Sequence, residues 1–339
     1  MSNTSKRIAY IDALRGLTMT LVVYQHINLF TGGEGSYDSM WGEALTAFRM
    51  PLFFFISGFI AYKTLEWTPK LYAQLLLKKA QVQLIPTIVF SLILTTVLSN
   101  TTQLFTNCYW FTLVLFEFFL LFYTISLISK QRVLLKNTLL IILTISGLAC
   151  ITLNIGQDWS FYEPLHLGDV FKFSQFFVLG IFARQYYPTL QKLVSNPYTN
   201  AAAIVIFAIS LILLRNEYIL ENQILRSFIR GTIVRYSGLF MVFSLFYRHQ
   251  DYFTANGKLS RTMQYIGRHT LDIYMLHYFF IGDLLSNGTI AGRIHNLDNL
   301  PLEFFAIGAL ALMNIALCLL LSQCIRNSKF LAKYLFGAK

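Results

Sequence analysis

The chain is 339 residues long, 55% hydrophobic and 16% aromatic, with 13% Asp, Glu, Lys and Arg and a mean hydropathy of +0.55. A soluble domain carries roughly a quarter of its residues as charges, so this composition excludes a soluble enzyme and reads as an all-α integral membrane protein with many spans. The net charge of +11 raises nucleic acid as a partner, but the positions of the cations give it another origin.

Apolar runs of about 17 to 25 residues predict a bundle of about ten transmembrane helices, near residues 10–30, 43–62, 81–99, 109–128, 134–153, 170–186, 199–214, 230–247, 266–286 and 303–324. The loops between them are too short for the ~50 residues of an independent core, which predicts a single membrane domain over residues 1–339. The first run follows Lys6 and Arg7 and carries Asp12, Arg15 and His26. Its length and charges do not suit a cleavable signal, so it is expected to stay in the membrane. An ionised side chain at mid-bilayer costs roughly 2.5 to 3.5 kcal/mol on insertion scales and normally faces a protein interior or a watery cavity. Arg15 and His26 are eleven residues apart, which returns to the same helix face within about 20° and separates them by about 16 Å along the axis. Asp12 shares that face with Arg15 three residues later, so an ion pair between them is the structural alternative.

In the second run Arg49 precedes Pro51; it either reaches a substrate or anchors at the outer interface with its stem along apolar surface. Phe53 to Phe55 read as bundle core or lipid-facing surface, and Ser57 with Gly58 as a close-packing site rather than a nucleophile. Lys78 and Lys79 precede the third run, and Tyr109, Trp110 and Phe111 open the fourth, where Trp and Tyr also mark any membrane interface. Glu117, Lys172, Arg235, Asp272, His277 and Asp283 fall inside later runs and each needs a partner or a wet cavity. Asp169 and Lys172, at i,i+3, are expected to satisfy each other. Two outer loops, one with Glu34, Asp38 and Glu43 and one with Asp158, Trp159, Tyr162, Glu163 and His166, hold acidic and aromatic side chains that suit sugars but are ordinary for solvated loops. Cys108, Cys150, Cys318 and Cys324 lack paired or ligand spacing and read as buried small hydrophobes, with no metal site expected.

With a cytoplasmic N-terminus, most of the 27 Lys and Arg residues fall on the inner side, among them Lys63, Lys70, Arg132, Lys136, Arg261 and Lys333, whereas Arg215, Arg226, Arg230 and Arg293 fall outside. The positive-inside rule then places both termini in the cytoplasm. It accounts for the basic balance without a nucleic-acid partner.

Asp12-Ala-Leu-Arg15-Gly16, His26 eleven residues after the arginine, and Pro51-Leu-Phe-Phe-Phe-Ile-Ser-Gly58 together resemble membrane-bound acyltransferase family 3, which carries an Asp-x-x-Arg-Gly element, a histidine at that spacing and Pro-Leu-Phe-Phe-x-x-Ser-Gly in the next helix. Tyr109 to Phe111 resemble its central aromatic element, and Gly267 to His277 its late Gly-x-x-Ser-x-x-Ile-Tyr-x-x-His element with Thr270 in place of serine. Lys78, Lys79 and Pro86 resemble its basic run ending in proline, with Gln83 where an arginine is common. The resemblance implies transfer of an acyl group, usually acetyl, from acyl-CoA to a hydroxyl of a carbohydrate or lipid-linked glycan of the cell envelope, at the inner membrane and with no bound cofactor. On that reading His26, Arg15 and Asp12 are catalytic, and Arg49, Lys78, Lys79, Trp110 and His277 bind substrate. A polyanionic cytosolic donor needs inner-side cations such as Arg15, Lys78 and Lys79. An imidazole, ordinarily titrating near ~6.5, is suited to take a hydroxyl proton during attack on the thioester, while an acyl-histidine intermediate remains the competing mechanism. His26 lies nearer the outer surface, so the acceptor is expected from the outer leaflet or periplasmic side. The rival class is a proton-coupled transporter or exporter, which would normally display repeats or paired broken helices. An inactive binding protein of the same fold is the third reading.

Overall fold

A computed structural model of the chain describes residues 8–32, 40–97, 109–130, 132–153, 155–156, 158–215, 222–286 and 300–336. The described residues contain no strand. Their helices are α1 (Ala9–Gly32), α2 (Met40–Ala61), α3 (Pro69–Val97), α4 (Trp110–Ser129), α5 (Val133–Thr152), α6 (Leu167–Gln185), α7 (Tyr187–Ser195), α8 (Pro197–Arg215), α9 (Gln223–Phe228), α10 (Val234–Arg248), α11 (Gln250–Thr254), α12 (Lys258–Arg268), α13 (Thr270–Ser286), α14 (Leu300–Arg326) and α15 (Lys329–Phe336). Ile229–Ile233 form a π-helical turn that joins α9 to α10.

Seven helical stretches among the described residues are long and apolar enough to cross a membrane: Ala44–Ala61, Pro69–Leu94, Trp110–Ser129, Val133–Thr152, Pro197–Arg215, Leu225–Arg248 and Pro301–Arg326. Pro51 and Pro86 sit inside two of them, as membrane helices tolerate when neighbours satisfy the freed backbone groups. The other three expected runs are helical but not among the seven. Asp12, Arg15, Gln25, His26 and Asn28 dilute the apolar character of α1, Asp169, Lys172 and Arg184 that of α6, and α13 has only 17 residues. The run read as 266–286 breaks at His269, between α12 and α13.

The chain forms two compact units, residues 1–53 with 187–322 and residues 54–186 with 323–339. In the first, α1 is the central strut, packed by α10, α11, α12 and α13. Reciprocal notches bring α12 against it: a Cβ on Gly16 would collide with the carbonyl oxygen of Met263, and one on Gly267 with that of Asp12. Backbones approach this closely only through small residues, the usual packing device where lipid supplies no hydrophobic drive between helices. The pairing of 12 with 267 and 16 with 263 makes α12 antiparallel to α1. After His269 the chain turns, and α13 runs parallel to α1.

The second unit is built on aromatic packing. Phe54 is fully buried and its ring lies 5.0 Å from Phe111, 5.1 Å from Phe118 and 5.1 Å from Phe173. Phe53 and Phe55 are buried too, so this triple is core and not lipid-facing surface. Gly58 and Gly180 form a second reciprocal notch, against the backbones of Phe177 and Phe55, which gives Gly58 its packing role. Rows of exposed Leu and Ile on α5, α8 and α14, such as Leu134, Ile145, Ile212 and Leu320, are the surface expected against hydrocarbon.

Candidate active site

In the first unit α1 and α13 lie side by side, and their polar residues meet in two places. Near the start of both helices the half-buried Arg15 donates from Nη2 to Thr270 Oγ1 at 2.7 Å. Two turns further along α13 and three along α1, His26 Nδ1 lies 2.8 Å from His277 Nε2. The one face of α1 predicted for Arg15 and His26 therefore looks at α13.

The hydrogen bonds around His277 decide the proton positions. Its Nδ1 lies 2.8 Å from the carbonyl oxygen of Tyr274 and 3.1 Å from that of Ile273; carbonyls only accept, so Nδ1 carries the proton of the neutral ring. His277 Nε2 is then an acceptor, and His26 Nδ1–H donates to it. His26 Nε2 then keeps its lone pair, which accepts from Tyr278 Oη at 3.2 Å. The rings of His26 and His277 are 4.9 Å apart and within 20° of coplanar. His277 is fully buried and His26 partly exposed, so the accessible ring is the one whose basic nitrogen is oriented. Asn314 on α14 donates to the backbone carbonyl of His277 at 3.1 Å, bracing the second ring from behind. Arg49 is half-buried and near enough for its charge to act on His26.

Asp12 is buried beneath the Gly267 notch, and Asp272 accepts a short hydrogen bond from Ser322.

Lys78, Lys79 and Trp110 belong to the second unit. Lys78 is exposed, whereas Lys79 places Nζ 3.4 Å from the centre of the Phe119 ring. Trp110 stacks on Phe173 at 5.9 Å and lies 6.3 Å from His166. Glu117 holds one carboxylate oxygen buried without a hydrogen-bond partner among the described residues. Asp169 takes His166 as its partner at 3.5 Å, and Lys172 lies over the Phe173 ring at 5.2 Å, which corrects the expected i,i+3 pair: the left-handed turn at His166, φ 49°, brings the imidazole back toward the first turn of α6. In the same loop the Tyr162 phenol is pushed up by burial first and then by the Asp169 carboxylate and Cys150. Cys318 is buried as expected, but Cys150 is intermediate and Cys324 exposed, because their faces point away from the packed side. Lys6, Arg7, Glu34, Asp38, Cys108 and Arg293 lie outside the described residues, as do the side chains of Glu43 and Asp283. Among the described residues no group of three His, Cys, Asp or Glu is placed to hold a metal.

Three contributors were not singled out in the sequence. Tyr278 had the signal of adjacency to His277, and Asn314 that of an amide in the middle of an apolar run. Gln25 is 1% exposed with neither side-chain amide atom hydrogen-bonded within the described residues; such a group normally has a partner, in protein, water or ligand.

Comparison with curated proteins and with solved structures finds no match. The acyltransferase domain family, Acyl_transf_3, matches residues 8–323, which takes in both units and every helix that carries the histidine pair. It does not favour the transporter reading. The chain therefore belongs to acyltransferase family 3 and is a multi-pass membrane acyltransferase, acting on an acyl donor and an acceptor substrate.

Proposed function

We propose that the protein is an O-acyltransferase of the inner membrane that moves an acyl group, most simply the acetyl group usual in its family, from cytosolic acyl-CoA to a hydroxyl of an envelope carbohydrate or glycolipid. The observation that carries the reading is the tautomer set by α13: Tyr274 and Ile273 hold the proton on His277 Nδ1, His277 holds the proton on His26 Nδ1, and His26 Nε2 is left as the unprotonated nitrogen, facing Tyr278. In the reaction the acceptor hydroxyl displaces Tyr278 from Nε2 and gives its proton to that nitrogen as its oxygen attacks the thioester carbonyl. The new C–O bond forms, the C–S bond breaks, and the departing thiolate recovers the proton from His26. His277 is a positioning residue that acts through His26. Arg49 faces the charge that develops on the carbonyl oxygen, and Arg15, held by Thr270 and aided by Asp12, meets the donor at the other end of the same helix face. Lys78, Lys79 and Trp110 are assigned to substrate binding.

In this reading α1, α6 and α13 complete about ten spans, with both termini cytoplasmic. Polar helices are accommodated in a membrane when their polar faces are turned to one another. The family match across residues 8–323 supports treating both units as one acyltransferase domain. The test is protein in nanodiscs with labelled acetyl-CoA and a lipid-linked glycan extract. His26→Ala is expected to lose transfer by about 10²- to 10⁴-fold; equal transfer by both proteins would reject His26 as the base.

A further inference from the structure

We infer that the second unit carries a nucleotide-binding cavity for the phosphorylated adenosine end of the acyl-CoA donor, built from the α2–α3 connection and the α4–α5 junction. The inference rests on the acyl-CoA reading above. The cavity measures about 440 Å³, within the range of small-molecule sites. Its lining brings together three cations, Lys63, Arg132 and Lys136, against a single carboxylate, Glu66. Lys63 and Arg132 are exposed at its rim. Lys136 is held over the Tyr62 ring at 4.6 Å.

Phosphate alone would be served by the cations, but two further features point to a nucleotide. Trp67 lines the cavity and is braced from behind by Tyr123 at 5.4 Å and Phe122 at 6.3 Å, which fixes an indole at the wall where a purine stacks. Ser126 also lines it; the residue is 1% exposed and its Oγ has no hydrogen-bond partner among the described residues. A buried hydroxyl left open in this way is a ready contact for a ring nitrogen or phosphate oxygen. All four charged residues lie on the side that the cation distribution assigns to the cytoplasm, where acyl-CoA is available. A lipid headgroup shares the phosphate chemistry and also meets interfacial Trp, but it has no purine to stack on the indole.

The test is binding of CoA, dephospho-CoA and S-acetylpantetheine to the full chain in nanodiscs of neutral lipid, repeated with anionic phospholipid. Lys63→Glu combined with Arg132→Glu changes only exposed positions; it is expected to weaken CoA about 10- to 100-fold and to leave S-acetylpantetheine, which lacks the nucleotide, unchanged. Dephospho-CoA should bind native protein more weakly than CoA, and Trp67→Ala should weaken both by about tenfold or more. Lys70→Glu, an exposed lysine outside the cavity, controls for general surface charge and should bind CoA as native does. Native-like CoA affinity in both the double variant and Trp67→Ala overturns the inference while the donor reading stands. Failure of native protein to bind CoA overturns the donor reading itself and this site with it. Loss of anionic-lipid retention in the double variant with CoA affinity intact makes the cavity a headgroup site, which also overturns it.

Discussion

A membrane histidine is ordinarily a packing residue, and the proposal that His26 is the base rests on the order of its hydrogen bonds. The ring is held through Nδ1 by His277, so that Nε2 is the nitrogen that accepts from Tyr278. Removing His277 should leave the base present but free to rotate, and misplacement of a reacting group by about 1 Å costs up to about 10²-fold. His277→Ala is therefore expected to lower kcat by about that factor with a small effect on thermal stability, because an interhelical hydrogen bond in a membrane averages only about 0.6 kcal/mol; activity and melting measured on the same preparation separate the two. Tyr278 is different. In the proposed mechanism the acceptor displaces its hydroxyl from Nε2, so Tyr278→Phe should keep kcat within about tenfold of native, and a loss as deep as that of His26→Ala would make the phenol a participant. Spacing and family-like context singled out both His26 and His277. The direct bond between them was not legible, since 251 residues separate them in the chain and nothing local dictates which face of α13 meets α1.

At the level of helices, the placement of α1 against α12 depends on hydrogen atoms where side chains would otherwise be. Gly16→Ala forces a methyl group into the Met263 carbonyl and is expected to lower the melting temperature and, by shifting α1, the activity; overpacking of this kind costs about 1 to 3 kcal/mol. At Gly308 on α14 nothing lies within 4 Å of the place an alanine methyl would take, so Gly308→Ala should be neutral or slightly stabilising, by up to about 1 kcal/mol. A melting curve that falls equally for both would remove the notch as the explanation. Helix existence was readable from apolar runs, because the bilayer sets their length. The break at His269 was not: residues 266–286 are apolar enough to read as one segment, and only the docking of Ile266 and Gly267 under α1 separates α12 from α13.

For the whole molecule, the cation distribution makes a prediction independent of chemistry. Reporters fused at either end should register in the cytoplasm, whereas one inserted near Arg215 to Arg226 should register outside; a periplasmic signal from either end would invert the assignment of Arg15 to the donor side. Polar character keeps α1 and α6 from the seven clearly apolar spans and short length keeps α13 from them, yet α1 and α13 carry the polar groups that meet. They hold the charges and imidazoles, and the apolar helices meet the lipid.

Membrane residence, helical class and the resemblance carried by Asp12, Arg15, His26 and Pro51 to Gly58 followed from composition and short-range spacing, because hydropathy and helical period are local properties of a chain. Which groups the two nitrogens of His26 meet, why Asp169 turns to His166 instead of Lys172, and how Lys63 and Trp67 come to share a cavity with Arg132 were decided by how the helices pack. Proton position and charge pairing depend on distances of a few ångströms, and those exist only once the helices have found their neighbours.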